Sequence, residues 1–279
     1  MYKIKEMTNG FKYIEIKNSS AFAKISLVGA NIFHYRQNDK EALLWLSEIS
    51  DFKENKSIRG GIPICWPWFG ILKNEKDLPQ HGFARTSLFE LININELNSG
   101  TTKITLRLKE TKQSRQLWDY CFELELIVTV SDKLTMELKT TNKDTKTFEI
   151  TQALHTYFQV TDISDAIVNG LDKKPYLDAL TMKDEVQDGE IFFDKEIDRI
   201  YQEVDANITL RDKYRSISID NIGSSSVVVW NPWIEKCSRM SAMKDSAYKT
   251  FVCIESANAF KDVVRILPNE SHTLKATIF

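Results

Sequence analysis

The 279-residue chain carries 37 Lys+Arg against 39 Asp+Glu, a formal charge of −2, with 42% hydrophobic and 27% charged residues. A chain of this size folds to roughly 12,000 Å² of surface from roughly 47,000 Å² unfolded, enough to enclose a large core, and the composition excludes a disordered protein. Near-neutral charge without a basic block argues against a nucleic-acid partner, and no stretch approaches the ~20 apolar residues of a membrane span.

The opening residues Met1-Tyr2-Lys3-Ile4-Lys5-Glu6 lack the apolar segment of a signal peptide. Cys65, Cys121, Cys237 and Cys253 are scattered without CxxC spacing, so neither a zinc site nor a disulfide framework is indicated. These features lead us to expect a cytoplasmic protein acting on a small molecule, with a monomer as the default state.

Along the chain the dominant hydrophobic period is two. Strands are expected over Tyr13–Ile16, Ala21–Val28 and Ser87–Ile94, and through Ile104, Leu106 and Leu108. Phe122 to Val130 alternates with Glu123 and Glu125, and Lys133 to Thr141 repeats the pattern after a turn at Ser131-Asp132. Further strands are expected over Ile208–Arg211, Ser216–Ile219, Ser225–Trp230 and Phe251–Ile254, with a last one through Leu274, Ala276 and Ile278. Helix is expected only in short pieces, Ala42–Leu46 and part of Cys237–Asp245. Parallel βαβ units are therefore disfavoured. So many antiparallel strands must curl or split into stacked sheets, which makes the expected fold all-β: one large β-sandwich domain over residues 1–279, with a concave face.

Four segments break the strand pattern, and such breaks tend to mark sites. Ile58-Arg59-Gly60-Gly61-Ile62-Pro63 runs into Cys65-Trp66-Pro67-Trp68-Phe69-Gly70 with Arg59 as its one charge. Glycines permit close backbone approach and prolines stiffen the loop, which suits an arginine that captures phosphate or carboxylate; a solvated Arg59 on a structural turn is the alternative. Pro79-Gln80-His81-Gly82-Phe83-Ala84-Arg85 concentrates donors in a short stretch, and Arg85 can join Arg59 in neutralising a dianion. In Thr151-Gln152-Ala153-Leu154-His155-Thr156-Tyr157-Phe158, His155 shares a strand face with Ala153 and Tyr157, opposite Leu154 and Phe158. A satisfied core histidine is the plain alternative. Finally, Glu255 ends an apolar strand on the face of Phe251 and Cys253, which is costly unless the carboxylate is paired or used. Trp230 and Trp233 nearby are either sugar-stacking or core residues.

Taken together, Arg59-Gly-Gly-Ile-Pro, Trp66-Pro67-Trp68-Phe69-Gly70, Pro79-Gln80-His81-Gly82-Phe83-Ala84-Arg85, Leu154-His155-Thr156-Tyr157-Phe158, Asp198-Arg199-Ile200-Tyr201, Trp230-Asn231-Pro232-Trp233 and Val252-Cys253-Ile254-Glu255 resemble the hexose-6-phosphate mutarotases of the aldose 1-epimerase superfamily. The resemblance runs from about residue 20 to the C-terminus. It implies the galactose-mutarotase-like β-supersandwich and no cofactor or metal. It also implies His155 as catalytic acid, Glu255 as catalytic base, and Arg59, Gln80, His81, Arg85 and Asp198 at substrate-binding positions, the arginines near the phosphate. Two departures bear on pocket shape: Trp118-Asp119-Tyr120-Cys121 stands where members often carry Trp-Pro-His, and Ser256-Ala257-Asn258 follows the base where many have glycine or proline.

The implied substrate is a small hexose 6-phosphate, whose anomers interconvert by acid–base ring opening. A non-catalytic sugar-phosphate binder would dispense with the His155–Glu255 pair. A glycoside hydrolase would ordinarily use two carboxylates, and a mutarotase for unphosphorylated sugars would have little use for Arg59 and Arg85.

Overall fold

The computed structural model describes residues 1–72 and 78–279. Period-two alternation builds the longest strands. Thr101–Lys109, Phe122–Val130 and Leu134–Asn142 bury every second side chain, and they pair in register as consecutive antiparallel neighbours. The last strand, Ser271–Ile278, pairs with Leu134–Asn142 and passes the sheet on to Ser216–Ile222 and Ile208–Arg211. Among the described residues this sheet has nine strands, with Glu90–Asn98 at one edge and Ile191–Phe192 at the other.

A second sheet of eight strands centres on Ser226–Asn231 and Phe251–Asn258. Both strands are buried along their whole length, so both faces of this sheet are covered. Leu154, Phe158, Val227, Val229, Val252 and Ile254 point one way and join Ile104, Leu106, Leu126, Val128 and Leu138 of the nine-stranded sheet in a common core. Ala153, Tyr157, Val228, Trp230, Phe251, Cys253 and Ala257 point the other way and form a separate cluster with Trp45 and Cys65. A four-stranded sheet from Tyr2–Glu6 to Ile32–Gln37 adds Ile14, Ile16, Ala23 and Ile25 to the common core. The expected all-β sandwich is therefore present. The face of the eight-stranded sheet turned away from the core is where chemistry-bearing side chains gather.

Three local expectations need correction. Ala42–Leu46 is not helical: Leu44 bridges Phe158 and Leu46 bridges Gly60, so the segment runs extended along the second sheet. The helix expected within Cys237–Asp245 lies earlier, at Trp233–Arg239, because Asn231 Oδ1 accepts the Trp233 N–H at 2.9 Å and starts the turn. The strand expected to stop at Ile254 continues to Asn258. Its polar end is kept in the sheet by bonds across the sandwich: Ser256 Oγ to Asn221 Oδ1, and Asn258 Nδ2 to the Gly223 carbonyl at 3.0 Å.

Close backbone approach explains two glycines. Gly61, at φ 68°, sits where a Cβ would lie 2.5 Å from Asn31 Oδ1 and 2.6 Å from the Ile32 carbonyl. Gly82, also at φ 68°, forms a parallel bridge with Trp66, and a Cβ there would fall 2.0 Å from the Trp66 oxygen. Gly82→Ala therefore strains both the dihedral and the bridge, at an expected cost of about 3 kcal/mol. For a chain of this length that lowers Tm by roughly 6–12 °C in calorimetry. A Tm within about 2 °C of the parent would contradict the packing described.

Candidate active site

His155 lies at a break in the sheet. The strands Gln152–Leu154 and Tyr157–Gln159 both pair with Phe251–Asn258, Leu154 opposite Ser256 and Tyr157 opposite Cys253. The same register continued through the interruption sets His155 opposite Glu255. Directly opposed residues in an antiparallel pair share a face and have close Cβ atoms. Two residues one hundred apart in the chain thus become neighbours, with His155 Nε2 3.3 Å from Glu255 Oε1. The His155 N–H donates to the Pro63 carbonyl at 3.0 Å, which ties His155 to the Gly61–Pro63 loop.

The pair is sunk in the protein. Glu255 is 1% exposed and His155 9%. Burial pushes the Glu255 carboxyl well up, with the Asp198 charge adding to the effect and Arg85 opposing it. Burial pushes the His155 imidazole well down, helped by His81, Arg85 and Arg59. Both directions favour the neutral members, a carboxyl and an imidazole that hold one proton between them. Glu255 Oε2 and His155 Nδ1 are buried without a hydrogen-bond partner among the described residues, a costly arrangement that a polar ligand relieves.

Aromatic rings frame the pair. Tyr157 stacks on His155 with centroids 4.8 Å apart and planes 7° from parallel. Trp230 stands edge-on to His155 at 5.8 Å and to Tyr157 at 6.0 Å. Trp230 is therefore part of this face, whereas Trp233 packs on Tyr248 at the start of the short helix.

The loop residues converge on the same place. His81 lies edge-on to His155 at 6.0 Å. Its Nδ1 accepts the Gly70 N–H at 3.1 Å, and its own N–H donates to the Gly70 carbonyl at 2.7 Å. Burial, then Arg85 and Arg59, push its pKa down to about 3. His81 is thus a neutral imidazole in a fixed tautomer, with Nε2–H left as a donor. Arg85 is steadied by the Gln80 carbonyl, 2.5 Å from its Nη2. The backbone of Gln80 is what engages Arg85, and its exposed side chain makes no hydrogen bond among the described residues. Arg59 is carried by the Gly60-Gly61 turn and acts electrostatically on Tyr157 and His155. Asp198 pairs with Trp230 across the ladder, which puts it on the catalytic face.

Five of the seven residues singled out from the sequence (His155, Glu255, His81, Asp198 and Arg59) are brought to this face or its immediate edge, and Arg85 reaches it electrostatically. Sequence reasoning missed Lys236, whose Nζ lies 3.5 Å from Asp198 Oδ2, and Cys65, a fully buried free thiol on the same face as Cys253, the residue the alternation had already placed beside Glu255. No spacing rule links Lys236 to Asp198, and Cys65 joins the face only through its pairing with Ala153 across the sheet.

The aldose 1-epimerase family pattern matches residues 12–278. The chain belongs to that family. A Cenchrus ciliaris protein that carries the provisional name glucose-6-phosphate 1-epimerase is 35% identical over 262 residues, 89% of this chain and 78% of its own. An Escherichia coli protein of the same provisional name is 33% identical over 250 residues, 88% of this chain and 83% of its own. A crystal structure of a provisionally assigned mutarotase from Salmonella typhimurium superposes with TM-score 0.91 at 30% identity, covering 99% of this chain and 95% of that one. A galactose mutarotase-like protein from Lactobacillus casei shares the fold, with TM-score 0.75 at 16% identity over 95% of this chain and 99% of that one. The protein is accordingly an isomerase of the aldose 1-epimerase family, with a galactose-mutarotase-like fold.

Proposed function

We propose that this isomerase interconverts the α and β anomers of hexose 6-phosphates, glucose 6-phosphate foremost. The observation that carries the reading is the opposed, buried His155–Glu255 pair at 3.3 Å, with two arginines in electrostatic reach. Anomerisation takes a proton from the O1 hydroxyl and delivers one to the ring oxygen, and both oxygens are bonded to C1. An acid and a base that meet at one point suit this geometry.

Once the shared proton has passed from Glu255 to His155 across their 3.3 Å contact, the Glu255 carboxylate accepts the O1 proton while the His155 imidazolium donates to the ring oxygen, and the C1–O5 bond breaks to leave an aldehyde. Rotation about C1–C2 presents the other carbonyl face. Reclosure returns the proton from O5 to His155 and the Glu255 proton to O1, which restores the enzyme without a net proton change. Arg59 and Arg85 bind the phosphate, and His81, Gln80 and Asp198 bind sugar hydroxyls, so attachment away from C1 holds the molecule while the open chain rotates. The name shared by the relatives above supports glucose 6-phosphate as the sugar. The same reading has one catalytic domain spanning residues 1–279, working as a monomer in the cytoplasm.

Saturation-transfer NMR on glucose 6-phosphate tests the proposal directly. Anomer exchange faster than in buffer is expected, and exchange at the buffer rate with pure protein would refute it. A pure sugar-phosphate binder would give that null result while still binding. The pH profile gives a second check. Unperturbed values of about 4.3 and 6.5 would make kcat fall above pH 6.5. Because burial lowers His155 and raises Glu255, neither group is expected to titrate at its reference value, and the kcat profile should lack a decline that sets in at pH 6.5. A steady decline from that point would show that the pair titrates as if in water.

A further inference from the structure

Lys236 lies outside the acid–base pair and the phosphate anchors, yet it is held against the same face. The helix Trp233–Arg239 is fixed at its start by Asn231, whose Oδ1 accepts the Trp233 N–H and whose Nδ2 donates to the carbonyls of Tyr248 at 2.9 Å and Phe251 at 2.8 Å. One turn on, Lys236 Nζ sits 2.8 Å from Glu196 Oε1 and 3.5 Å from Asp198 Oδ2, and 5.8 Å from the Trp230 ring centre. Its side chain is 37% exposed, against 25% for Glu196 and 27% for Asp198. This is a partly covered network around one cation, which resists screening better than an isolated surface pair.

We propose that Lys236 is a positioning residue that holds Asp198 ionised and oriented as an acceptor for sugar hydroxyls at the rim of the catalytic face. The inference rests on the hexose 6-phosphate reading. Asp198 needs such a partner. It is packed among negative groups, with Glu196 just before its own strand Ile197–Tyr201, Asp178 on the neighbouring strand Pro175–Asp178, and Glu255 across the face; among the described residues Lys236 is the one cation in salt-bridge contact with it. Burial already pushes its carboxyl up, and Lys236 opposes that push. Without the ammonium group, Asp198 is freer to rotate and takes up a proton more readily. A protonated carboxyl loses acceptor strength toward hydroxyls. The cation held over the indole also fixes the height of Trp230 beside the sugar.

Lys236→Met is expected to raise KM for glucose 6-phosphate by about tenfold, the scale of one charge-assisted hydrogen bond, with a smaller change in kcat. The rise should grow as pH is lowered, as Asp198 takes its proton more readily without the ammonium group. Lys236→Arg should recover most of the loss. Asp198→Asn should show a raised KM without the additional pH dependence of Lys236→Met, and adding Lys236→Met to it should cost no more, because the lysine acts through the aspartate. Should Lys236→Met fold poorly, Lys236→Gln carries the same comparison, with Kd for glucose 6-phosphate by calorimetry as the readout. A parent-like KM in either neutral variant, or losses that add in the double variant, would overturn the proposal while anomer exchange by the parent stands. A parent that neither binds nor turns over hexose 6-phosphate removes the functional reading and this inference together.

Discussion

Glu255→Gln should lose anomer exchange by about 10²–10⁴-fold, the range that one positioned base contributes, while it still binds glucose 6-phosphate. The substitution keeps the shape of a side chain that is 1% exposed and removes its proton-accepting charge. It also removes the ionic partner of His155, whose Nε2 then faces an amide. Binding survives because the phosphate anchors and the hydroxyl contacts lie elsewhere on the face. Saturation-transfer NMR for exchange and calorimetry for binding separate the two quantities. Exchange within about threefold of the parent would mean that the carboxylate is not the base. Loss of binding together with exchange would mean that Glu255 is an anchor and the base lies elsewhere.

The second large effect concerns what the arginines select. Arg59→Met with Arg85→Met should lower kcat/KM for glucose 6-phosphate by at least about 100-fold, since charge-assisted bonds to a dianion are each worth about 1.5–3 kcal/mol. For unphosphorylated glucose the same double variant should lose far less, because no phosphate is present to be bound and only the arginines' electrostatic effect on the pair is removed. The comparison is internal, so general damage shows as loss on both sugars. A double variant that treats the two sugars alike would point to a mutarotase for free aldoses. Of the single variants, Arg85→Met has the wider reach, because this side chain also holds the Gln80 carbonyl and its charge acts on His81, His155 and Glu255.

Much of this was legible in the sequence, for reasons that differ by residue. Phe122–Val130 and Leu134–Asn142 could be read because each strand buries one face and leaves the other half-covered, which writes an alternation into the chain. The assignment of His155, Tyr157 and Glu255 to one face followed from the same alternation and holds in the structure. Lys183–Val186, an exposed edge strand reading Lys-Asp-Glu-Val, carries no such signal, because edge strands without a buried face have no reason to alternate. Ala42–Leu46 misleads in the opposite way. An unbroken apolar run suits a helix or a covered strand equally, and the contacts with Phe158 and Gly60 that decide between them are far away in the chain. Glu255 looked like a strand end because Ser256-Ala257-Asn258 is small and polar. The hydrogen bonds that bury those residues reach from the opposite sheet, where no local pattern can announce them. Lys236 was hidden for the same reason, since its value depends on a carboxylate 38 positions earlier.

The proposed acid and base face each other at a break in one ladder, and the spacing between the flanking strands is a constant of backbone hydrogen bonding. Apart from Asp198 on its strand, the groups proposed to grip the rest of the sugar come instead from connections at the rim, the Arg59 turn and the Gln80–Arg85 segment. Reactivity and selectivity are therefore mounted on different parts of the molecule. A descendant of this chain can rebuild its rim to accept another carbohydrate and inherit the proton-transfer geometry unchanged.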